Sequence, residues 1–219
     1  MEHESAEPLR PVLIVFAKAP RPGFVKTRLI PRVGAEGACR FHEAFVRDML
    51  QALHELDGLC DVELHTDERW DHWASNGRVA KLQAPGDLGT KMRTALEDAL
   101  HGGRPLAVIL GSDSPSLPMA YVRQILECPT DVCLGPVADG GFYAIACRKV
   151  QPSLFDGVTW SSPQTLEQTI AAVTKAGLTV ALGPAWYDID SVDDLDRLMG
   201  DEGVRPATAE ALRNLRPLR

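Results

Sequence analysis

The sequence lacks an apolar run that approaches the roughly 20 residues a membrane-spanning helix needs. It has no excess of positive charge either, since its formal net charge is -7, which argues against a nucleic-acid partner and an anionic membrane surface. The amino-terminal segment is acidic and Lys18 interrupts the first apolar run, so we expect no signal peptide. These absences predict a cytoplasmic protein without a membrane span.

Cysteine is scarce and irregularly spaced, with five residues and no C-x-x-C pair. We expect buried thiols of a cytosolic protein at Cys39, Cys60, Cys128, Cys133 and Cys147. The six histidines show no H-E-x-x-H or other zinc spacing, and His42 and His54 are predicted to be surface residues rather than ligands.

The chain has the composition of a globular enzyme. Of its 219 residues, 45% are hydrophobic and 24% are charged, which is enough apolar material for a core. Short apolar runs alternate with amphipathic patterns such as 36–56, which predicts a helix there. The alternation predicts a three-layer α/β/α Rossmann-like fold, with a mostly parallel sheet and one antiparallel element near Asp139. We expect a flexible tail over 1–10 and a single domain over 11–219.

One acid follows a short apolar run near the middle of the chain. Leu106–Leu110 is predicted to be a buried parallel strand, and it ends in G-S-D-S-P. Ligands of open α/β sheets bind beyond the carboxyl ends of the strands, where Asp113 would offer a carboxylate to a divalent cation. The alternative is that Asp113 and Ser114 only form the turn that Gly111 and Pro115 indicate.

A basic loop follows the first predicted strand, Val12–Ala17. It reads K-A-P-R-P-G-F-V-K-T-R-L and concentrates four cations on an acidic protein: Lys18, Arg21, Lys26 and Arg28. Such a cluster favours a phosphate site at the same rim as Asp113. A solvated basic loop is the alternative. The loop is not a Walker motif, because Gly23 is its only glycine.

A glycine-rich turn, A-P-G-D-L-G-T-K-M, opens a further predicted helix. Gly86 and Gly89 flank Asp87, and such a turn lets the backbone approach a ligand closely. The favoured alternative is a plain loop in which Thr90 is the N-cap. Ser162 is predicted to be the N-cap of a later helix, with Pro163 at the first helical position.

Three more acids stand beside predicted turns. D-G-G over Asp139–Gly141 lies between two apolar runs and predicts a hairpin turn, with Asp139 facing the rim. Asp188 and Asp190 precede Ser191 and Asp194, which are predicted to form the capping box of a helix. Both earlier acids can therefore face a helix N-terminus or a cation.

Taken together, six segments resemble a glycosyltransferase-A-type family of the nucleotide-diphospho-sugar transferase superfamily. Members of this family carry glycosyltransferase labels, some of them for arsenosugar biosynthesis, and the superfamily includes the molybdenum-cofactor and phospholactate guanylyltransferases. The resemblance spans Phe16 to Leu195 in the expected order. Its segments are F-A-K-A-P-R-P-G-F-V-K-T-R-L, G-D-L-G-T-K-M, G-S-D-S-P-S-L, G-P-V-A-D-G-G-F-Y, L-F-D-G-V-T-W-S-S-P and W-Y-D-I-D-S-V-D-D-L.

The resemblance implies a nucleotide site. Phosphate contacts would come from Lys18, Lys26 and Arg28, and the wall of the nucleotide pocket from Gly86, Asp87 and Gly89.

The resemblance also implies a cation site for Mg²⁺ or Mn²⁺. Asp113 would be the main ligand, and Asp190, with Asp188, would complete the set from the far side. The hairpin residues Asp139, Gly140 and Gly141 would border the sugar or acceptor. The sequence departs from the D-x-D pattern because Pro115 replaces the second acid, and its first loop lacks the paired glycines of many nucleotidyltransferases.

These residues lead to a functional hypothesis: a metal-dependent transferase that uses a nucleotide-diphospho-sugar and a small-molecule acceptor. Asp113 and Lys26 would act at the leaving phosphates, and Asp139 would be the base on the acceptor hydroxyl. The first alternative is a nucleotidyltransferase that releases pyrophosphate from a nucleoside triphosphate. The second is a non-catalytic nucleotide-binding protein.

Overall fold

A computed structural model describes residues 8–70 and 79–215, so most of the predicted tail 1–10 lies outside the described residues. Within those ranges, seven strands form one sheet in the order β3-β2-β1-β4-β6-β5-β7. The strands are β1 (Val12–Ala17), β2 (Asp61–Thr66), β3 (Val79–Leu82), β4 (Ala107–Gly111), β5 (Val132–Pro136), β6 (Phe142–Cys147) and β7 (Val180–Leu182). Only β6 runs antiparallel to its neighbours in this sheet, β4 and β5, which confirms the mostly parallel sheet with one antiparallel element.

Helices cover both faces of the sheet. The described α-helices are α1 (Ile30–Ala52), α2 (Leu88–His101), α3 (Met119–Glu127), α4 (Thr165–Lys175), α5 (Val192–Met199) and α6 (Pro206–Arg213). One core cluster packs α1 and α3 against Leu13 and Val15 of β1. The opposite cluster packs α2 and α4 against Val12 and Ile14. The three-layer α/β/α prediction is confirmed, and the uninterrupted apolar run of β1 reflects burial on both faces.

A third core cluster lies at the carboxyl end of the chain. It joins Phe41 and Phe45 of α1 to Leu195 and Leu198 of α5, and it includes Tyr187. Because Tyr187 precedes two of the predicted site acids by one and three residues, this cluster positions that segment. No helix in the described ranges is long and apolar enough to cross a bilayer.

Several predicted helix boundaries differ from the structure. Asp87, not Thr90, caps α2, because the Asp87 carboxylate accepts the Thr90 backbone N–H at 2.8 Å. Helix α4 begins at Thr165, since Ser162–Pro163 forms a turn whose Ser162 carbonyl accepts the Thr165 N–H at 3.0 Å. The capping box of Ser191 and Asp194 is confirmed.

The prediction that His42 lies on the surface is wrong. His42 is 4% exposed, and its Nε2 donates to the Lys18 carbonyl oxygen at 2.8 Å, which ties α1 to the end of β1. His54 is exposed, as predicted. All five cysteines are free thiols; four are buried, as predicted, and Cys128 is half-buried.

Candidate active site

A large pocket opens at the carboxyl ends of the parallel strands. Its volume is about 910 Å³, which is within the range of pockets that hold small-molecule ligands. Its wall comes from the loops after β1 and β4, the first residues after β2 and β3, the hairpin tip between β5 and β6, the segment 160–163, and the segment before α5. The strand order therefore brings segments distant in the sequence to one rim.

Lys26 lies at the centre of this rim. Its ammonium donates to the Ile189 carbonyl at 2.7 Å, to Asp113 Oδ1 at 2.8 Å and to Asp190 Oδ1 at 3.1 Å. Burial lowers the pKa of Lys26, but the two carboxylates raise it by more, so the pKa is above its usual value and the ammonium stays charged. All three of its protons have protein acceptors, so Lys26 holds two acid-bearing segments together.

The backbone at Lys26 is itself unusual. Its φ of 45° and ψ of 43° lie in the left-handed region, which costs a non-glycine residue on the order of 1–2 kcal/mol. This conformation delivers the side chain to a site where it is only 5% exposed. We attribute the persistence of the strained conformation to the three hydrogen bonds of the ammonium.

Asp113 is ionised through its contact with Lys26. Burial raises the pKa of this carboxyl group, and the neighbouring ammonium lowers it by more, so the pKa is below its usual value. The side chain is 43% exposed and lines the pocket. The Asp113 carbonyl also accepts the Ile189 N–H at 2.9 Å, which joins the loop after β4 to the segment before α5.

A cluster of three acids lies beside this pair. Asp139, Asp188 and Asp190 each offer one carboxylate oxygen, and these atoms lie within 4.8 Å of one another. Burial and then the negative charges of Asp190 and Asp139 raise the pKa of Asp188 to about 6. The cluster therefore carries more negative charge than its own surroundings neutralise.

The hairpin tip sets the position of Asp139. Asp139 Oδ1 accepts the Gly141 N–H at 3.0 Å. Gly140 has a φ of 89°, and a Cβ there would lie 2.0 Å from the carbonyl oxygen of Pro163. The Gly140 carbonyl accepts the Leu166 N–H at 2.8 Å. The predicted turn is confirmed, and the glycine is needed because the tip packs directly against the start of α4.

Two predicted phosphate contacts, Lys18 and Arg28, are exposed residues that line the same pocket. The Arg28 side chain is 70% exposed, and its Nη1 is 3.4 Å from Asp190 Oδ2. Arg21 from the same loop pairs instead with Glu68 at 2.6 Å. The structure thus brings Lys18 and Arg28 to the rim with their charges facing solvent.

The glycine-rich turn contributes Leu88 to the wall of the pocket. The predicted site residues of this turn, Gly86, Asp87 and Gly89, are not among the lining residues. Asp87 serves as the helix cap, and its hydrogen bonds with Thr90 lower its pKa. A Cβ at Gly89 would lie 2.9 Å from the ring of Trp160. Their contact with a nucleotide stays a prediction.

Several wall residues escaped the sequence reasoning. Asp67 and Gln83 are the first residues after β2 and β3, and Lys91 and Trp160 face the same space. The rule that ligands bind at carboxyl ends of strands also applies to Asp67 and Gln83, so their positions carried a usable signal. Lys91 and Trp160 lie within two segments of the family resemblance, but the resemblance assigned them no role.

Comparisons with known proteins identify the family and the fold. The family profile described as "Uncharacterized protein conserved in bacteria (DUF2064)" matches residues 42–162. A solved structure from Desulfovibrio desulfuricans G20, provisionally assigned as a nucleotide-diphospho-sugar transferase, is 31% identical, with a TM-score of 0.85 over 94% of each chain. A comparison with curated proteins gave no match.

More distant structures share the fold alone. The inositol-1-phosphate CTP transferase from T. maritima has a TM-score of 0.55 and 14% identity over 91% of this chain and 99% of that one. CMP:2-keto-3-deoxy-manno-octonic acid synthetase, solved with CTP, has the same score and identity over 86% and 96%. The protein has the α/β fold of nucleotide-diphospho-sugar transferases and nucleotidyltransferases, and it belongs to the DUF2064 family.

Proposed function

We propose that the protein is an enzyme that transfers a glycosyl group from a nucleotide-diphospho-sugar, bound with Mg²⁺ or Mn²⁺, to a small-molecule acceptor. The observation that carries this proposal is the convergence of Asp139, Asp188 and Asp190 within 4.8 Å. This cluster shares a pocket with the exposed cations Lys18 and Arg28. Oxygen ligands beside exposed cations suit a cation-bound diphosphate.

The acids fit a hard divalent cation. Their oxygens have the spacing of a ligand set, and burial together with the charges of Asp190 and Asp139 raises the pKa of Asp188, which a bound cation would counteract. Asp188 and Asp190, together with Asp139, would hold the cation, and Asp113 borders them through the shared Lys26. When bound, such a cation neutralises negative charge on the phosphates of the donor.

Lys18 and Arg28 bind phosphate oxygens in this proposal. They are exposed cations of the loop after β1 that line the pocket, and Arg pairs with phosphate in a bidentate manner. Lys26 has a different role in this proposal from the phosphate contact that the resemblance implied. Because its three protons are bound by the protein, it positions Asp113 and Asp190.

Asp139 has two candidate roles, which an experiment can distinguish. We infer a place at the acceptor, as the base or as a cation ligand, because it is the exposed member of the cluster at the hairpin tip. If Asp139 is the base, Asp139→Asn lowers turnover without lowering the affinity for the cation. If Asp139 is a cation ligand, the same substitution lowers the affinity for the cation as well. Titrating Mn²⁺ into the nucleotide-bound variant distinguishes the two roles.

The 31% identical structure supports a nucleotide sugar as the donor. Nucleotidyl transfer places the same demands on the pocket, because both donors present a chain of phosphates to the cations and acids. The two reactions differ in the leaving group, which is a nucleoside diphosphate from the sugar donor and pyrophosphate from a triphosphate. The products therefore decide between the two reactions.

The test combines product analysis with a matched pair of variants. Purified protein is incubated with nucleotide sugars or with nucleoside triphosphates, with an acceptor panel, and with Mg²⁺, Mn²⁺ or a chelator. We expect the protein to release a nucleoside diphosphate from a nucleotide sugar. This activity should be lost with the chelator and in Asp190→Asn, and it should be retained in the control Asp193→Asn, whose residue is exposed. Pyrophosphate release would favour the nucleotidyltransferase. Tight nucleotide binding without any turnover would favour a binding protein.

A further inference from the structure

Two acceptor groups line the pocket beside the loop after β1. Asp67 follows β2 and Gln83 follows β3, so they lie at adjacent strand ends and both line the pocket. Asp67 Oδ1 accepts the Ala19 backbone N–H at 2.6 Å, which fixes the carboxylate against the loop. Its other oxygen remains available as an acceptor.

The orientation of the Gln83 amide follows from its partners. Its Nε2 donates to the His65 carbonyl at 3.0 Å and to the Ala17 carbonyl at 3.3 Å. Carbonyl oxygens only accept, so the NH₂ group must face them and the flipped amide is excluded. Oε1 therefore points away from both carbonyls. Across residues 8–70 and 79–215, no side-chain or backbone donor contacts it.

This end of the pocket thus offers two hydrogen-bond acceptors, the second carboxylate oxygen of Asp67 and Gln83 Oε1. A ligand with two adjacent hydrogen-bond donors on one edge would satisfy both. Among the common nucleobases, only guanine has such an edge, formed by N1–H and the 2-amino group. We propose that Asp67 and Gln83 select a guanine nucleotide as the donor. The proposal rests on the proposed function, since it names the base of that same donor.

The other bases place an acceptor where the pocket needs a donor. Adenine sets N1 beside its amino group, cytosine sets N3 beside its amino group, and uracil has one N–H between two carbonyls. Each would turn a lone pair toward Asp67 or Gln83 and leave a polar group unpaired. Unpaired buried polar groups are the main source of discrimination between similar ligands.

The apolar part of the wall favours a purine over a pyrimidine. Phe24 is 64% exposed and Leu88 is 44% exposed, and both line the pocket. Leu88 lies five residues after Gln83, and Phe24 lies five residues after Ala19. The larger face of a purine removes more of this apolar surface from water.

Calorimetric titration of the full chain with nucleoside diphosphates in Mg²⁺ tests the selection. We expect GDP to bind about ten- to a hundredfold more tightly than IDP, which lacks only the 2-amino group. ADP, CDP and UDP should bind no better than IDP. Equal affinities for GDP and IDP, or a tighter fit for another base, would overturn the inference while leaving the transferase proposal intact.

Variants assign the preference to these two residues. Asp67→Asn keeps an acceptor for the Ala19 N–H, and Gln83→Met removes the amide oxygen. We expect at least one of them to reduce the ratio of the GDP affinity to the IDP affinity to about one. The neighbouring control, Glu68→Gln, should leave this ratio unchanged. An unchanged ratio in both folded variants, checked by thermal unfolding, would refute the assignment. If no nucleotide binds the wild-type chain, the proposed function fails and the base selection fails with it.

Discussion

Asp113 and Asp188 lie on one rim and have opposite electrostatic surroundings. Burial opposes ionisation of both carboxyl groups, but at Asp113 the Lys26 ammonium at 2.8 Å outweighs it and lowers the pKa. At Asp188 burial and the neighbouring acids act together and raise the pKa to about 6. The chain supplies its own counter-ion to the first carboxylate and leaves the second in excess negative charge.

This difference separates a positioning half of the site from a binding half. The hydrogen bonds of Lys26 join three segments, so the first half sets geometry without any ligand. The acid cluster stores repulsion that a bound cation would relieve, and such stored cost is common at binding sites. Removal of the Lys26 ammonium and removal of the Asp188 charge should therefore change stability in opposite directions.

The largest effect is expected from Lys26→Met. Removing the ammonium takes away the buried cation that Asp113 and Asp190 share and should lower the free energy of unfolding by about 3–5 kcal/mol. Urea denaturation at neutral pH measures the loss. The control is Lys18→Met in the same loop, which should stay within about 0.5 kcal/mol because Lys18 is exposed. Equal stabilities of the two variants would contradict the positioning role.

The next effect is expected at the hairpin tip. Gly140→Ala places a Cβ 2.0 Å from the Pro163 carbonyl at a φ of 89°, so it combines strain with a clash. We expect a loss of roughly 2–4 kcal/mol and weaker Mn²⁺ binding, because Asp139 must move. Gly157→Ala has a φ of 76° and open space around the new Cβ. It should cost only about 1–2 kcal/mol. Similar losses in both variants would show that the tip can relax.

The fold was largely predictable because its signals are local. The apolar run of β1 gave its bounds, Val12–Ala17, and burial on both faces explains why the run has no alternation. The predicted helix over 36–56 corresponds to the part of α1 after Gly34, whose φ of 72° and ψ of 167° break the helix, and it gives way to a 3-10 helix at Leu53. The helical residues before this break, from Ile30, were not predicted.

The site was predictable only as a list of acids and cations on one rim. Which cation meets which acid depends on side-chain reach across the folded rim. Lys26 and Asp190 are separated by 164 residues, and no spacing rule connects them. The same limit explains Asp87, whose carboxylate was as suitable for a ligand as for the cap it forms.

A smaller effect of opposite sign is expected from Asp188→Asn. Because the folded pKa of Asp188, about 6, exceeds the usual aspartate value of 3.8, its negative charge destabilises the native state at pH 7. With allowance for solvent, the variant should gain roughly 1 kcal/mol, or about 2–4 °C in Tm, at pH 7 in chelator. The gain should fade as the pH falls from 6 to 4. A gain that persists at pH 4 would mean that charge repulsion is not its cause.

The smallest effect on stability is expected from Arg28→Ala. Its contact with Asp190 is 3.4 Å long and the side chain is 70% exposed, so the free energy of unfolding should change by less than about 0.5 kcal/mol. Nucleoside diphosphate affinity should nevertheless fall about two- to fivefold, and by less at high salt, because the lost partner is a phosphate. Arg40→Ala, an exposed residue of α1 away from the pocket, is the control for a general charge effect. If both arginine variants weakened nucleotide binding equally, the overall charge of the protein would explain the loss, and Arg28 would have no place in the binding half of the rim.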